Sequence, residues 1–241
     1  MVSIVVPTLN EEANLVPLVT RVAAAMDRRP GGWELICVLD GCTDESLRVL
    51  LDLRERHPQV KVVELASSVG QHAAIAVGLA YSAGDPIVTL DADLQNPPEE
   101  IPRLLEALAS GHGAVGTVRR SRQDSALRKS ASLLFRTLLA HAGGRHRMAD
   151  PGCMLRGWSR DVVQRFLDAG EPPLYLPVQL NRRAESYHEF DASHEARAGG
   201  ESRYDALRLL RLLGRALLAA RAPGLGRLRK AVVKGTHGFG P

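Results

Sequence analysis

Two aspartates one residue apart, Asp91 and Asp93, directly follow the apolar run Ile87-Val88-Thr89-Leu90. Carboxylates this close repel each other unless a cation sits between them. Oxygen ligands suit a hard divalent ion, Mg2+ or Mn2+, which can also bridge to a diphosphate. Such an ion would act as a Lewis acid, neutralising charge that builds on a departing diphosphate. The competing reading is an Asp-rich turn that caps a helix opening near Pro98. A bare Asp-x-Asp arises by chance in many chains. Its place at a strand end, ahead of Leu94-Gln95-Asn96-Pro97-Pro98-Glu99-Glu100, is what gives it weight.

Glu11 and Asp40 stand at two other strand ends, each either a site residue or an ordinary cap or turn residue. Arg119, Arg122, Arg128 and Lys129 follow the fifth apolar run. They form a solvated face or a phosphate clamp, since guanidinium binds phosphate bidentately. Asp150 precedes Pro151, which reads as a turn; against a hydroxyl acceptor the same carboxylate would be a candidate base. Arg197, ahead of Gly199-Gly200, lies in what reads as a loop between a strand and a helix.

The hydrophobic pattern supplies a frame that brings these residues together. Val2–Val6, Trp33–Leu39, Val60–Leu65, Ile87–Leu90 and Ala114–Val118 are continuous apolar runs, as buried parallel strands are. Helical patterns fall between them at about 11–28, 43–56, 71–83 and 98–109. Asn10, Thr43 and Asn96 are capping candidates, and Pro97-Pro98 suits a helix opening. This alternation predicts an α/β fold, a mostly parallel sheet flanked by helices, with ligands bound beyond the carboxyl ends of the strands. After residue 118 the alternation stops. A helix at about 125–142, a Gly-rich break at 143–147 and a strand over 152–158 come next. Helices at about 159–169 and 176–185, a strand near 187–196 and a C-terminal amphipathic helix at about 204–220 follow.

At 241 residues, 45% apolar and 24% charged, the chain has the balance of a globular protein with one large core. It holds no apolar run of about eighteen residues, so no membrane span is expected. Met1-Val2-Ser3-Ile4 leads straight into a strand, so export by a signal peptide is not expected either. Cys37, Cys42 and Cys153 build no disulfide framework, the histidines show no metal-ligand spacing, and a reducing cytoplasm suits both. Residues 197–241 carry ten Arg or Lys against two acids, on an otherwise mildly acidic chain. That asymmetry points to an anionic partner, a membrane phospholipid or a phosphate-bearing substrate, with no nucleic acid expected. Leu207, Leu210, Leu213 and Leu217 share one face of the helix at 204–220, and Arg208, Arg211 and Arg215 another. With Arg221, Arg227, Arg229, Lys230 and Lys234 behind them, the pattern leans to an anionic membrane surface over packing on the domain.

Pro7-Thr8-Leu9-Asn10-Glu11, Asp40-Gly41-Cys42-Thr43-Asp44 and Asp91-Ala92-Asp93-Leu94-Gln95 resemble the strand-end motifs of family-two glycosyltransferases of the GT-A (Rossmann-like) fold. Gly70-Gln71-His72, Val115-Gly116-Thr117-Val118-Arg119, Arg122-Gln123-Asp124-Ser125, Gly152-Cys153-Met154-Leu155-Arg156 and Gly200-Glu201-Ser202-Arg203-Tyr204 narrow the resemblance. They are similar to the polyprenyl-phosphate glycosyltransferases, a group that includes dolichyl-phosphate mannose synthases and undecaprenyl-phosphate formamidoarabinose transferases. The resemblance runs over residues 2–220 and is specific to the family, though not to one sugar.

It implies inverting transfer of a sugar from a nucleotide-sugar, UDP-linked before GDP-linked, to a polyprenyl (undecaprenyl-type) phosphate. Pro7, Thr8, Glu11 and Asp40 would line the nucleotide pocket, with Asp91 and Ala92 beside ribose and diphosphate. Asp93 and Gln95 would be the protein ligands of Mg2+ or Mn2+. Arg119, Arg128 and Ser132 would meet the acceptor phosphate, and Asp150 would orient acceptor or donor sugar. Arg197 would close with a glycine-hinged loop over the diphosphate. An acceptor phosphate is already ionised at neutral pH, so direct attack would rest on positioning and the metal. Residues 1–118 would then be the nucleotide-sugar half and 119–220 the acceptor half of one domain, with 221–241 a basic tail. The protein would be peripheral on the inner face of the membrane, alone, as a homo-oligomer or with a separate membrane subunit. Transfer to a soluble small-molecule acceptor and a non-catalytic membrane-associated subunit remain open as alternatives. Two positions depart from the family pattern: Leu39, where an aspartate is usual, and Cys42, where a serine is usual.

Overall fold

The computed structural model describes residues 1–27, 29–119, 145–195 and 232–239. Its first five strands are β1 (Val2–Thr8), β2 (Trp33–Leu39), β3 (Val60–Leu65), β4 (Ile87–Thr89) and β5 (Ala114–Arg119). Helices α1 (Glu12–Met26), α2 (Ser46–Arg56), α3 (Gln71–Tyr81) and α4 (Ile101–Ala109) alternate with them, α4 after a 3-10 turn at Pro98–Glu100. The rest comprises β6 (Arg156–Trp158), α5 (Arg160–Ala169), α6 (Leu176–Asn181), β7 (Tyr187–Ala192) and β8 (Val233–His237).

Among the described residues eight strands join one sheet in the order β7-β5-β6-β4-β1-β2-β3-β8. β1 runs parallel to β2 and β4, β2 to β3, and β5 to β7. β6 is wedged antiparallel between β4 and β5, and β8 runs antiparallel to β3. The sheet is therefore mixed but mostly parallel. β2 buries all seven of its residues, because helices cover both faces. Alternate side chains point to opposite faces. Ile4, Val6, Leu35 and Cys37 pack with Leu15 and Leu18 of α1, Leu50 of α2 and Leu104 of α4. Val5, Ile36 and Val38 pack with Ile75 and Val77 of α3 and Phe166 of α5. α1 buries Leu15, Leu18, Val19, Val22 and Met26 although Pro17 lies inside it. Several such side chains at about 1.5–3 kcal/mol each outweigh the roughly 3 kcal/mol that an internal proline costs.

The second half departs further from the expected elements. The strand read over 152–158 is formed only by 156–158, because Asp150–Cys153 makes a turn in which Cys153 N donates to Asp150 O at 3.2 Å. The segment read as a tail, 221–241, supplies β8, whose Lys234 bonds Glu64 of β3 at 2.6 Å. Val233-Lys234-Gly235-Thr236-His237 has too little apolar content to announce a strand. The helices expected at 125–142 and 204–220 lie outside the described residues. Among the described residues no helix is long and apolar enough to cross a membrane.

Candidate active site

The carboxyl ends of β1, β2 and β4 meet at one edge of the sheet, and side chains rather than regular structure fix their loops. Asn10 adopts φ 54°, its Oδ1 accepting from Thr43 N at 2.8 Å and its Nδ2 donating to Thr43 Oγ1 at 3.3 Å. The two capping candidates thus pair with each other. α1 and α2 are instead tied by reciprocal bonds: Glu12 N donates to Asp44 Oδ2 at 3.1 Å, and Glu45 N to Glu12 Oε2 at 2.8 Å. Leu94, after β4, has φ 60°. Among the described residues these are the two non-glycine positions with positive φ, and backbone of this kind gathers at functional sites.

Asp40 is 3% exposed, and its carboxylate accepts from Ser68 Oγ at 2.9 Å, Val69 N at 2.7 Å and Gly70 N at 3.0 Å. Gly41, at φ 70°, lets the β3–α3 loop approach; a Cβ there would sit 2.5 Å from Ser68 N. Asp40 therefore shapes the loop that opens α3. Gln71, the first residue of α3, donates its amide to Asp91 Oδ1 at 2.6 Å. Thr8 is fully enclosed, and its carbonyl accepts from Asp40 N at 2.8 Å and Cys42 Sγ at 3.3 Å. Cys42 also accepts from Asn10 N at 3.4 Å, so the thiol makes the bonds a serine hydroxyl could make. Leu39 is 1% exposed in the core, which accounts for an apolar residue there. Pro7 and Glu11 are partly exposed, and Glu11 Oε2 accepts from Asn14 Nδ2 at 2.6 Å.

Asp91 reaches the surface in part, while its carboxyl lies inside the protein. Burial, and then the negative charge of Asp93, push it up to about 7; Arg119 and the Gln71 bond oppose the shift, and Glu11 adds to it. Glu11, Asp93 and Arg119 thus all stand within electrostatic reach of Asp91. Ala92 between them is buried. Asp93 Oδ1 accepts from Gln95 N at 3.2 Å, and Gln95 O accepts from Glu195 N at 2.9 Å, which anchors the chain leaving β7. His194 comes to the same place. Its Nδ1 is buried without a hydrogen-bond partner, and burial and then the Arg119 charge push the imidazole down, against Asp93, Asp150 and a hydrogen bond to the Gln95 backbone.

From the other side, Arg119 at the end of β5 grips Asp150 with Nε at 2.7 Å and Nη2 at 2.9 Å. Arg119, expected to meet an acceptor phosphate, is first of all the partner of Asp150, expected to orient a sugar. The turn that carries Asp150 is pinned by the enclosed Arg156. Its guanidinium donates to Asp150 O at 2.5 Å, Cys153 O at 2.7 Å and Tyr187 Oη at 2.7 Å. Tyr187 Oη donates on to Glu189 Oε1 at 2.6 Å, and Glu189 Oε2 accepts from Ala149 N at 2.7 Å. Arg128, Ser132 and Arg197 lie outside the described residues.

Residues 3–166 match the family model described as Glycosyl transferase family 2. The chain belongs to glycosyl transferase family 2. The matched span runs from β1 into α5, so it includes Asp91 to Gln95, Arg119 and Asp150 but not His194. Among relatives, the undecaprenyl-phosphate 4-deoxy-4-formamido-L-arabinose transferase of Aeromonas hydrophila is 44% identical over 214 residues, covering 88% of this chain and 65% of the relative. The enzyme of that name from Pseudomonas aeruginosa is also 44% identical, covering 88% of this chain and 63% of the relative. The chain thus spans just under two thirds of these relatives. Among solved structures, glucosyl-3-phosphoglycerate synthase from Mycobacterium tuberculosis, in complex with Mn2+, UDP-glucose and phosphoglyceric acid, superposes with a TM-score of 0.64. It is 20% identical, and the match covers 92% of this chain and 80% of that one. That likeness identifies the architecture as GT-A.

The donor chemistry at the edge fits a divalent ion. Among the described residues no three His, Cys, Asp or Glu side chains close around a metal. An open set, the Asp93 carboxylate and the Gln95 amide, suits a hard ion that keeps most positions for water and phosphate. His194, whose imidazole is favoured in its neutral form, stands within electrostatic reach of Asp93 and bonds the Gln95 backbone. Three residues here escaped the sequence reading. Gln71 lay in a motif without a role, Arg156 read as a strand residue, and His194 stands far from Asp93 in sequence, where no spacing rule applies.

Proposed function

We propose that this chain is an inverting, metal-dependent glycosyltransferase that moves a sugar from a nucleoside diphosphate, UDP before GDP, onto a polyprenyl phosphate. The observation that carries this reading is the meeting of the Asp91 and Asp93 carboxylates with the Arg119–Asp150 pair at one sheet edge. The 44% identity to undecaprenyl-phosphate sugar transferases supports the lipid acceptor.

Asp93 and Gln95, with His194 beside them, would hold Mg2+ or Mn2+, which when bound supplies charge neutralisation for the diphosphate leaving group. Pro7, Glu11 and the loop shaped by Asp40 border the nucleotide, while Thr8 and Ala92 shape the pocket from within. Gln71 fixes Asp91 beside ribose and diphosphate. Arg119 keeps Nη1 outside its pair with Asp150 and directs it to the acceptor phosphate, joined by Arg128 and Ser132. Asp150, held by two bonds, orients the acceptor oxygen behind the anomeric carbon, and Arg197 adds positive charge at the leaving group. The acceptor is already ionised, so these residues act by alignment and exclusion of water and need take up no proton. The basic residues of 197–241, a balance of +8, hold the protein peripherally on an anionic membrane surface, at about 1 kcal/mol per nearby cation at low salt.

The test is transfer of radiolabelled sugar from a UDP-sugar into the lipid fraction of anionic vesicles carrying undecaprenyl phosphate. Label should enter the lipid with Mn2+, fall to background with chelator, and diminish as salt weakens vesicle binding. Label that appears only in water-soluble product would replace this reading with transfer to a soluble acceptor.

A further inference from the structure

Gly70-Gln71-His72 opens α3, and the first two residues have their tasks: Gly70 N bonds Asp40 and Gln71 bonds Asp91. His72 turns to the other half of the molecule. Its ring meets Tyr175 edge-on, with centroids 4.8 Å apart and planes at 67°. Tyr175 Oη donates to Pro151 O at 2.7 Å, next to Asp150. His72 therefore bridges the wall that holds Asp91 and the wall that holds Asp150.

The ring's hydrogen bonding is incomplete. His72 is partly exposed, yet its Nδ1 is buried and has no hydrogen-bond partner. Native proteins leave few buried polar atoms in that state. Burial pushes the imidazole down to about 4, so it is neutral at physiological pH and carries one proton on two nitrogens. Either tautomer leaves Nδ1 without a partner, but an orphaned buried N–H is rarer in proteins than an under-satisfied acceptor, so the proton belongs on Nε2, and Nε2 is the ring's donor.

We propose that His72 reads the sugar of the donor, its Nε2–H bonding a hydroxyl or amide oxygen of the glycosyl group while Tyr175 holds the ring in place. This rests on the glycosyltransferase reading above. The other parts of the substrates are better served elsewhere. The nucleotide belongs at the β1 and β2 ends, by Pro7 and Glu11. The diphosphate faces Asp91 and Asp93, where charge is matched by a cation. The acceptor phosphate is an anion, for which the guanidinium of Arg119 is the stronger partner. A neutral donor between the Asp91 and Asp150 walls matches the uncharged group that must lie between leaving group and acceptor. A polar group built to be completed by substrate also discriminates strongly against substrates that lack the partner.

The test compares full-length wild type, His72→Phe and His72→Gln with Mn2+, by titration calorimetry against UDP and against UDP-4-deoxy-4-formamido-L-arabinose, with UDP-glucose as a second sugar. His72→Phe keeps the ring contact and has no nitrogen; His72→Gln keeps an N–H near the position of Nε2. UDP should bind His72→Phe as it binds wild type, and the melting temperature should not fall, since an unpartnered buried nitrogen has been removed. Affinity for the preferred UDP-sugar should fall at least tenfold, kcat/KM should fall with it, and His72→Gln should recover part of both. Equal loss for UDP and UDP-sugar, or no loss for either, would overturn the assignment and leave the glycosyltransferase reading intact. Wild type that binds UDP but gains nothing from either sugar would also overturn it. Wild type that binds no UDP at all would remove the function on which it rests.

Discussion

On the β1–β4 side of the carboxyl edge, acidic side chains stand on loops held by neutral hydrogen bonds; on the β5–β7 side, charge is held by opposite charge. Asn10, Thr43, Ser68 and Gln71 fix the loops of the first set, and burial followed by the charge of Asp93 drives Asp91 up to about 7. Arg119 neutralises Asp150 directly, and Arg156 secures the turn below it. The pairing with Arg119 also makes Asp150 part of what holds the second side together.

Substitutions should separate the two sides. Asp93→Ala removes a like charge from beside Asp91 but also the acceptor of Gln95 N, so the melting temperature should stay within roughly 2–4 °C of wild type, while transfer falls on the order of 10^3-fold. Near-wild activity of the folded variant in chelator would break the metal assignment. Asp150→Ala should behave differently, because it strands a guanidinium whose side chain is 14% exposed. Breaking a buried pair costs about 3–5 kcal/mol, and each kcal/mol lowers the melting temperature by roughly 2–4 °C at this chain length. Activity should fall on the order of 10^2-fold as the acceptor loses its alignment. Adding Arg119→Met to Asp150→Ala should recover stability but not transfer, which a double-mutant cycle would read directly. If Asp150→Ala melts with wild type, the contrast between the two sides fails.

The same contrast marks what could be read from the sequence. Strands β1 to β3 and β5 were legible because buried strands are dominated by apolar residues, as in Trp33–Leu39, where Glu34, paired with Lys61, is the exception. Asp91 and Asp93 were legible because a strand end and two carboxylates are adjacent in sequence. Arg119 and Asp150 both drew attention, but not as partners: they lie 31 residues apart and meet only because β6 inserts antiparallel between β4 and β5. β6 is three residues long and β8 contains Lys234 and Gly235, so neither carries a periodic signal. His194 has no motif at all; its place follows from the parallel register of β7 on β5, which runs Arg119 opposite Ala192.

Acid titration gives a third comparison, with the smaller expected effect of the carboxyl group closest to the boundary between the sides. Asp91 ionises near pH 7 in the folded protein and near 3.9 when unfolded. Its folded value is raised, so the stability it contributes is fully present below about pH 4 and is lost as pH rises through about 7. Without metal, wild type should lose stability over that window relative to Asp91→Asn, which has nothing to titrate. A divalent ion should narrow the difference, since it favours the ionised form. Melting curves of both proteins from pH 4.5 to 8, with chelator and with Mn2+, would check this; parallel curves in chelator would show that Asp91 is not held protonated.

His194 is the residue through which the second side reaches the first, and its removal should have the mildest effect. The chain leaving β7 is fastened to Gln95 through Glu195 N, and Arg21 grips both Glu99 and Glu195 at 2.8 Å. His194 is thus held near Asp93 chiefly by backbone and ion-pair anchors, to which its own ring adds one hydrogen bond to the Gln95 backbone. His194→Ala should therefore melt close to wild type, because those anchors and the hydrophobic core are untouched. Both ions favour oxygen ligands, but Mn2+, the softer of the two, accepts a neutral imidazole nitrogen more readily than Mg2+ does. The variant should accordingly lose roughly tenfold in Mn2+ affinity, about 1.4 kcal/mol, and less with Mg2+. UDP binding without metal should not change. Calorimetric titration of each ion in the presence of UDP would read the difference. Equal loss with both ions would make His194 a support for the loop, and unchanged affinity with both would confine the metal site to the β4 end, with the second side supplying acceptor contacts alone.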